Sequence, residues 1–347
     1  MIFDTSPFAA MRHAPIAVTM GEPAGIGGEI VCLAWARHAA ELPPLMLIDD
    51  PGRIAELAEA IGCPVIVKSV TTAAEAVSIW PDALPVLPLT LPAPVVPGHI
   101  NPVNAAAVIA SLDRAIALAE SGDAAALVTN PIQKSVLYAA GFSEPGHTEY
   151  LAKATKTDSA AVMMLAGPEL RVVPVTIHCS LADAVQALRS EDIVYCARVT
   201  AEALRRDFGI AHPRLAIAAL NPHAGEDGAF GAEETTVIAP AVAEIRAAGI
   251  DATGPVAADT LFHPAARRNH DAVICMYHDQ ALIPLKTLDF HRSVNVTLGL
   301  PIIRTSPDHG TALDIAGTGR ADPTSFIEAV KMAALLAGRR QQSVAVA

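Results

Sequence analysis

Short apolar runs with no polar alternation recur along the chain, and most give way to a longer Ala- and Leu-rich stretch of helical period. Residues 16–19, 45–48, 65–67, 125–129, 171–177, 215–220 and 272–276 read as strands; residues 104–121, 180–189, 193–207, 235–248 and 324–336 read as helices. A strand that is apolar on both faces must be covered on both, and helical crossovers over a largely parallel sheet achieve this. The sequence therefore predicts an α/β protein. With 347 residues, 52% of them hydrophobic, the chain can build two domains. Crossings are expected near Asn130 and Phe290, giving one domain of residues 1–130 plus 290–347 and a second of residues 131–289. The proline-rich stretch 81–102 reads as a surface connection.

The same composition excludes several roles. A net charge of −12 argues against nucleic acid as a partner. The most apolar stretch, 84–100, carries prolines at 85, 88, 92, 94 and 97, which a membrane-spanning helix does not tolerate. No basic segment followed by an apolar block opens the chain, so no signal peptide is expected, and Met11 offers an alternative start. Five cysteines, at 32, 63, 179, 196 and 275, never form a C-x-x-C pair and read as reduced, buried thiols of a cytoplasmic protein.

The polar residues gather at strand ends. Three apolar runs finish in histidine: "RVVPVTIHCS" at His178, "LAIAALNPHAGEDG" at His223 and "AVICMYHD" at His278. In parallel sheets ligands bind beyond the carboxyl ends of strands, so three histidines delivered there can hold one divalent metal with positions left for substrate. Each alone also reads as a hydrogen-bonded loop residue, and the spacing matches no metal motif. "TNPIQK" places Asn130 as a cap to a helix opening at Pro131, with Lys134 in its first turn. "GHTEY" sends His147 and Thr148 into another helix start, suited to a phosphate or carboxylate. "MGEPAGIGGEI" is glycine-rich after a strand, with Asp49-Asp50 at the next strand end, but it does not fit G-x-G-x-x-G. Residues 304–323 form the longest polar, glycine-rich segment.

Six blocks in order carry a resemblance: "GHTEYLA", "TIHCSLADA", "LNPHAGEDGAFGAEE", "GPVAADTLF", "YHDQALIPLK" and "RTSPDHGTALDIAG". Together they resemble the 4-hydroxythreonine-4-phosphate dehydrogenase family, within the isocitrate and isopropylmalate dehydrogenase-like superfamily. The resemblance implies a two-domain α/β/α fold and a homodimer, with the active site in the interdomain cleft at the subunit interface. It implies one divalent ion (zinc, magnesium or cobalt) on His178, His223 and His278, the last lent by the partner subunit. Substrate would be held by His147, Thr148, Lys286, Asn295 and Arg304, and NAD or NADP by the C-terminal loop at His309, Gly310 and Asp314. Asp259 and Asp279 are candidates for proton handling or for orienting a ligand. The implied reaction oxidises a phosphorylated hydroxy amino acid, followed by decarboxylation, in pyridoxal 5′-phosphate biosynthesis. Threonate or erythronate 4-phosphate is an alternative substrate, and a metal-dependent hydrolase or acyl/phosphoryl transferase is the alternative of another class.

Overall fold

The computed structural model describes residues 14–346 apart from 140, 143, 145, 158 and 159, so Met11 lies outside the described residues. Twelve strands run through the described residues: β1 (Ile16–Thr19), β2 (Leu45–Asp49), β3 (Val67–Ser69), β4 (Leu84–Pro88), β5 (Ala126–Val128), β6 (Val162–Ala166), β7 (Arg171–Pro174), β8 (Arg214–Ala218), β9 (Asp251–Val256), β10 (Ala272–Cys275), β11 (Val294–Leu298) and β12 (Arg304–Pro307). The chain divides into two units, residues 1–161 with 300–347 and residues 162–299. The divisions expected at Asn130 and Phe290 differ from these. Residues 131–161 go with the first unit, where Leu151 of helix His147–Ala154 is buried among Leu112, Ala115 and Leu127. Residues 290–299 go with the second, where β11 pairs along its length with β6.

In the first unit the strand order is β3-β4-β2-β1-β5-β12, every pair parallel. Ile16, Leu45, Met46, Leu47, Ile48 and Leu127 are fully buried, which explains the unbroken apolar runs. Helix Ala105–Ser121 lies on this core through Leu112, Ala115 and Ile116. Its one buried hydroxyl, Ser111 Oγ, donates to Ile48 O at 2.8 Å and accepts from Met20 N–H at 2.9 Å, so it is satisfied. By length and composition the stretch Pro102–Ser121 is apolar enough to cross a membrane, and half of it is buried inside the fold. β4 lies within the stretch expected to be a surface connection and is nearly all buried; its prolines hid a strand.

The second unit has the order β11-β6-β7-β10-β8-β9. β7, β10, β8 and β9 run parallel to one another, whereas the β11–β6 and β6–β7 pairs are antiparallel. Its core gathers Leu165, Val172, Ala216, Val273 and Cys275, with Leu285 packing onto them from helix His278–Leu288. Of the five cysteines expected to be buried, Cys179 is exposed and Cys63 is half-buried.

Candidate active site

Because β7, β10 and β8 are parallel neighbours, their carboxyl ends fall on one edge of the second unit, and His178, His278 and His223 follow them there. The three chain ends are tied to one another. Thr176 Oγ1 donates to Met276 O at 2.8 Å, and Val175 N–H donates to Cys275 O at 2.8 Å. Gln280 is buried and uses both ends of its amide: Oε1 accepts from Met276 N–H and Nε2 donates to Ala219 O, each at 2.7 Å. Gln280 was passed over in the sequence. Its signal was a polar residue on the buried face of a helix that opens directly behind a strand.

The His178 and His278 rings lie 6.4 Å apart, centroid to centroid, and line a cleft of about 270 Å³ with Thr176, Leu181, Tyr277 and Asp279. Asp279 Oδ1 sits 2.7 Å from His278 Nδ1. A carboxylate accepts there, so Nδ1 carries the proton and Nε2 keeps the free lone pair that a metal requires. His223 stands apart, exposed on the turn Pro222–Gly228 with its ring 6.1 Å from Phe230. Among the described residues no three His, Cys, Asp or Glu side chains come close enough to hold a metal. Imidazole nitrogens are the donors a divalent ion takes, and the structure brings two of the three expected ligands, His178 and His278, onto one cleft. Asp259 is exposed on the turn Ala258–Thr260, which packs against the turn bearing His223.

Lys286 lies two turns beyond His278 on the same helix face, half-buried, with its ammonium 5.4 Å from the centre of the Phe290 ring. Asn295, on β11, has its Oδ1 enclosed with no hydrogen-bond partner.

The first unit holds the other expected substrate contacts. Arg304 opens β12 and is 3% exposed; its Nε and Nη2 donate to Thr129 Oγ1 at 3.1 and 2.7 Å. Burial lowers its pKa to about 10, with Glu149 opposing the shift. His147 opens helix His147–Ala154, half-buried as a residue, but its Nε2 is enclosed with no partner, and Thr148 follows it half-buried. Burial, and then the charges of Arg304 and Lys134, hold the His147 pKa well below its usual value. Nearby chemistry departs from expectation at Asn130, which caps no helix at Pro131. It is fully buried and donates from Nδ2 to Thr19 O at 2.9 Å, its Oδ1 has no partner, and the helix begins at Lys134. The group is cationic, desolvated and rich in donors, which is the chemistry of an anion site.

A histidine kept neutral in the fold costs stability where the unfolded chain protonates. The folded pKa lies below 6.5, so the folded protein loses stability as pH falls through 6.5 toward that lower value. Replacing His147 by glutamine should flatten the acid limb of stability against pH by up to about 1.4 kcal/mol per pH unit. Urea melts at pH 7, 6 and 5 check this; parallel curves for both proteins would contradict it.

The C-terminal loop is also in the first unit. His309 Nε2 is enclosed without a partner and Nδ1 lies 3.0 Å from Gly310 O, while Gly310 and Asp314 are exposed. The loop is held by Glu29, fully buried, whose carboxylate accepts from Gly317 N–H at 2.7 Å and Ala321 N–H at 3.2 Å. Glu29 belongs to the opening glycine-rich run, so that run supports the C-terminal loop. Asp49 is engaged by Arg53, and Asp50 caps helix Pro51–Ala60 by accepting from Gly52 and Arg53 N–H. Neither acid is left for a ribose, which accounts for the failed dinucleotide fingerprint.

Residues 41–333 match the family model described as pyridoxal phosphate biosynthetic protein PdxA. The chain is 52% identical over 335 residues to a 4-hydroxythreonine-4-phosphate dehydrogenase of Caulobacter vibrioides, covering 95% of this chain and 99% of that one. It is 51% identical over 343 residues to the Bradyrhizobium diazoefficiens protein of the same name, covering 95% and 99%. Among solved structures, the 4-hydroxythreonine-4-phosphate dehydrogenase from Klebsiella pneumoniae superposes with a TM-score of 0.86 at 40% identity, covering 94% of this chain and 98% of that one. A phosphotransacetylase from Staphylococcus aureus, at 12% identity and a TM-score of 0.53 over 96% and 97% of the two chains, shares the fold alone.

Proposed function

We propose that this chain, which belongs to the family of the pyridoxal phosphate biosynthetic protein PdxA, oxidises 4-hydroxythreonine 4-phosphate with NAD or NADP in pyridoxal phosphate biosynthesis. The observation that carries the substrate reading is the buried Arg304 beside a neutral His147 and Lys134, a cationic site suited to a phosphate. Thr148 adds a hydroxyl at the same helix start; for Lys286 and Asn295 the family resemblance implies the roles of a charge and a neutral amide. In the reaction the substrate hydroxyl loses its proton and the carbon loses hydride to the nicotinamide. The product, 2-amino-3-oxo-4-phosphooxybutanoate, then loses carbon dioxide to give 3-amino-2-oxopropyl phosphate.

A divalent ion on His178, His278 and His223, when bound, would supply Lewis-acid polarisation of the substrate hydroxyl. Asp279 holds the His278 ring in the tautomer that presents Nε2. Asp259, exposed on the turn against that of His223, is the candidate for proton handling. His309, Gly310 and Asp314 form the cofactor contact, on a loop that Glu29 fixes from beneath. A second copy of the chain completes the site: Leu181, Ile283 and Phe290 are each more than 60% exposed close to the histidine edge, an apolar surface suited to a partner subunit.

Purified protein incubated with a divalent metal, NAD or NADP and 4-hydroxythreonine 4-phosphate is expected to raise nicotinamide absorbance at 340 nm. Threonate and erythronate 4-phosphate serve as parallel substrates. Turnover of a phosphorylated compound without dinucleotide, and no reduction with any of the three, would reject a dehydrogenase and favour a hydrolase or transferase.

A further inference from the structure

Residues 223–227 run left-handed without a break: φ is 53° at His223, 55° at Ala224, 78° at Gly225, 42° at Glu226 and 54° at Asp227. Four of the five carry a Cβ. L-residues visit this region singly, and consecutive ones are disfavoured by the clash of Cβ with the following carbonyl. A turn of this kind persists only if its surroundings over-determine it.

Its own backbone closes it, with Phe230 N–H donating to Gly225 O and Ala229 N–H to Glu226 O, each at 3.1 Å, and one buried carboxylate stands against it. Glu234, 3% exposed, accepts on Oε1 from the N–H groups of Leu220 (2.9 Å) and Asn221 (2.7 Å), and on Oε2 from Asn221 Nδ2 (2.9 Å). The middle of the turn lies against the same group, since a Cβ on Gly225 would stand 2.6 Å from Glu234 Oε2. Glu233 takes a further bond from Asn221 Nδ2 at 2.8 Å. Entry and centre of the turn are thus both referred to Glu234, at the start of the helical turn Glu234–Ile238. The residue the turn begins with is His223. His178 also sits at positive φ, 52°, so two of the three candidate ligands share an unfavourable backbone that ordinary loops avoid.

We propose that Glu234 is the positioning residue of His223: its carboxylate holds the left-handed turn that sets where that imidazole stands. This rests on the reading of His223 as a metal ligand. Glu234→Gln keeps the shape but replaces one acceptor oxygen by a donor facing N–H groups, and Glu234→Asp keeps the charge one methylene short. Cobalt(II) titrated into each protein, followed by visible absorbance, is expected to bind about 10- to 100-fold more weakly in Glu234→Gln and less so in Glu234→Asp. In a His223→Ala background the same Glu234→Gln change is expected to alter cobalt affinity by less than about twofold, because the ligand it positions is gone. Amide exchange should quicken in residues 220–231 and nowhere else. Affinity within twofold of wild type, or an equal loss with and without His223, overturns the proposal. If wild-type protein takes up no cobalt, the metal reading fails by itself. Amide exchange then decides: unchanged exchange in 220–231 overturns the role of Glu234, and faster exchange confined there upholds it. If Glu234→Gln does not fold, Glu234→Asp carries the same comparison.

Discussion

Replacing His278 by alanine is expected to abolish retention of divalent metal and to lower nicotinamide reduction by at least about 10²-fold, with the thermal midpoint unchanged. The two halves of this expectation come from different neighbours. The imidazole is 40% exposed and its one recorded partner, Asp279, is more exposed still at 68%, so deleting the ring opens no core cavity and leaves no buried charge. Surface changes of that kind alter stability by no more than about 0.5 kcal/mol. The ring nevertheless lies 6.4 Å from His178 across a cleft, where it is the second imidazole. Metal content by mass analysis and turnover with added metal are the measurements; full activity in the variant would remove the three-histidine reading. Mixing His178→Ala with His278→Ala subunits then asks where the ligands come from. Recovered turnover puts the two ligands of one site on different subunits, and no recovery puts them on one.

The edge that carries these histidines was legible because burial leaves a plain mark in sequence. β10 is apolar on both faces, so the change to His278-Asp279 stood out at once, and β7 and β8 repeated it. β4, β6, β9, β11 and β12 were not read from the sequence, and for β9 and β12 the reason is physical. β12 reads Arg-Thr-Ser-Pro, polar in three of four positions, yet every residue is buried; Thr305 Oγ1 donates to Ala329 O at 2.8 Å and the Arg304 guanidinium to Thr129 Oγ1. β9 reads Asp-Ala-Thr-Gly-Pro-Val, and glycine and proline count against a strand. Supports such as Gln280, Glu29 and Glu234 left no spacing to read, because each acts on backbone groups that lie 61, 288 and 14 residues away in the chain. A side chain whose partner is a distant amide has no motif. Local pattern therefore located the candidate site, and its scaffold emerged only from the fold.

Arg304→Met is expected to reduce kcat/KM by about 10³-fold and to leave the folded protein as stable as before, or more so. The loss follows from removing a buried cation from the proposed phosphate site: breaking a desolvated charged pair costs about 3–5 kcal/mol, and each 1.36 kcal/mol is a tenfold change in rate. The retained stability follows from the state of that cation before substrate arrives. Folding lowers its pKa to about 10, chiefly by burial, so the fold disfavours the charged form by a few kcal/mol, and an apolar side chain of similar length escapes that cost. Against it stands the loss of two bonds to Thr129 Oγ1, worth about 1 kcal/mol each. The same reasoning predicts the response to anion. Inorganic phosphate in the millimolar range should raise the thermal midpoint of the wild type, since it binds the folded state alone, and should leave Arg304→Met unmoved. His147 responds with it, because a bound dianion offsets the positive field of Arg304 and Lys134 and lifts the histidine pKa back toward 6.5. Sulfate, a dianion at both pH values, should therefore stabilise more strongly at pH 6 than at pH 8, and an equal shift at both would show that His147 and Arg304 do not face the same anion.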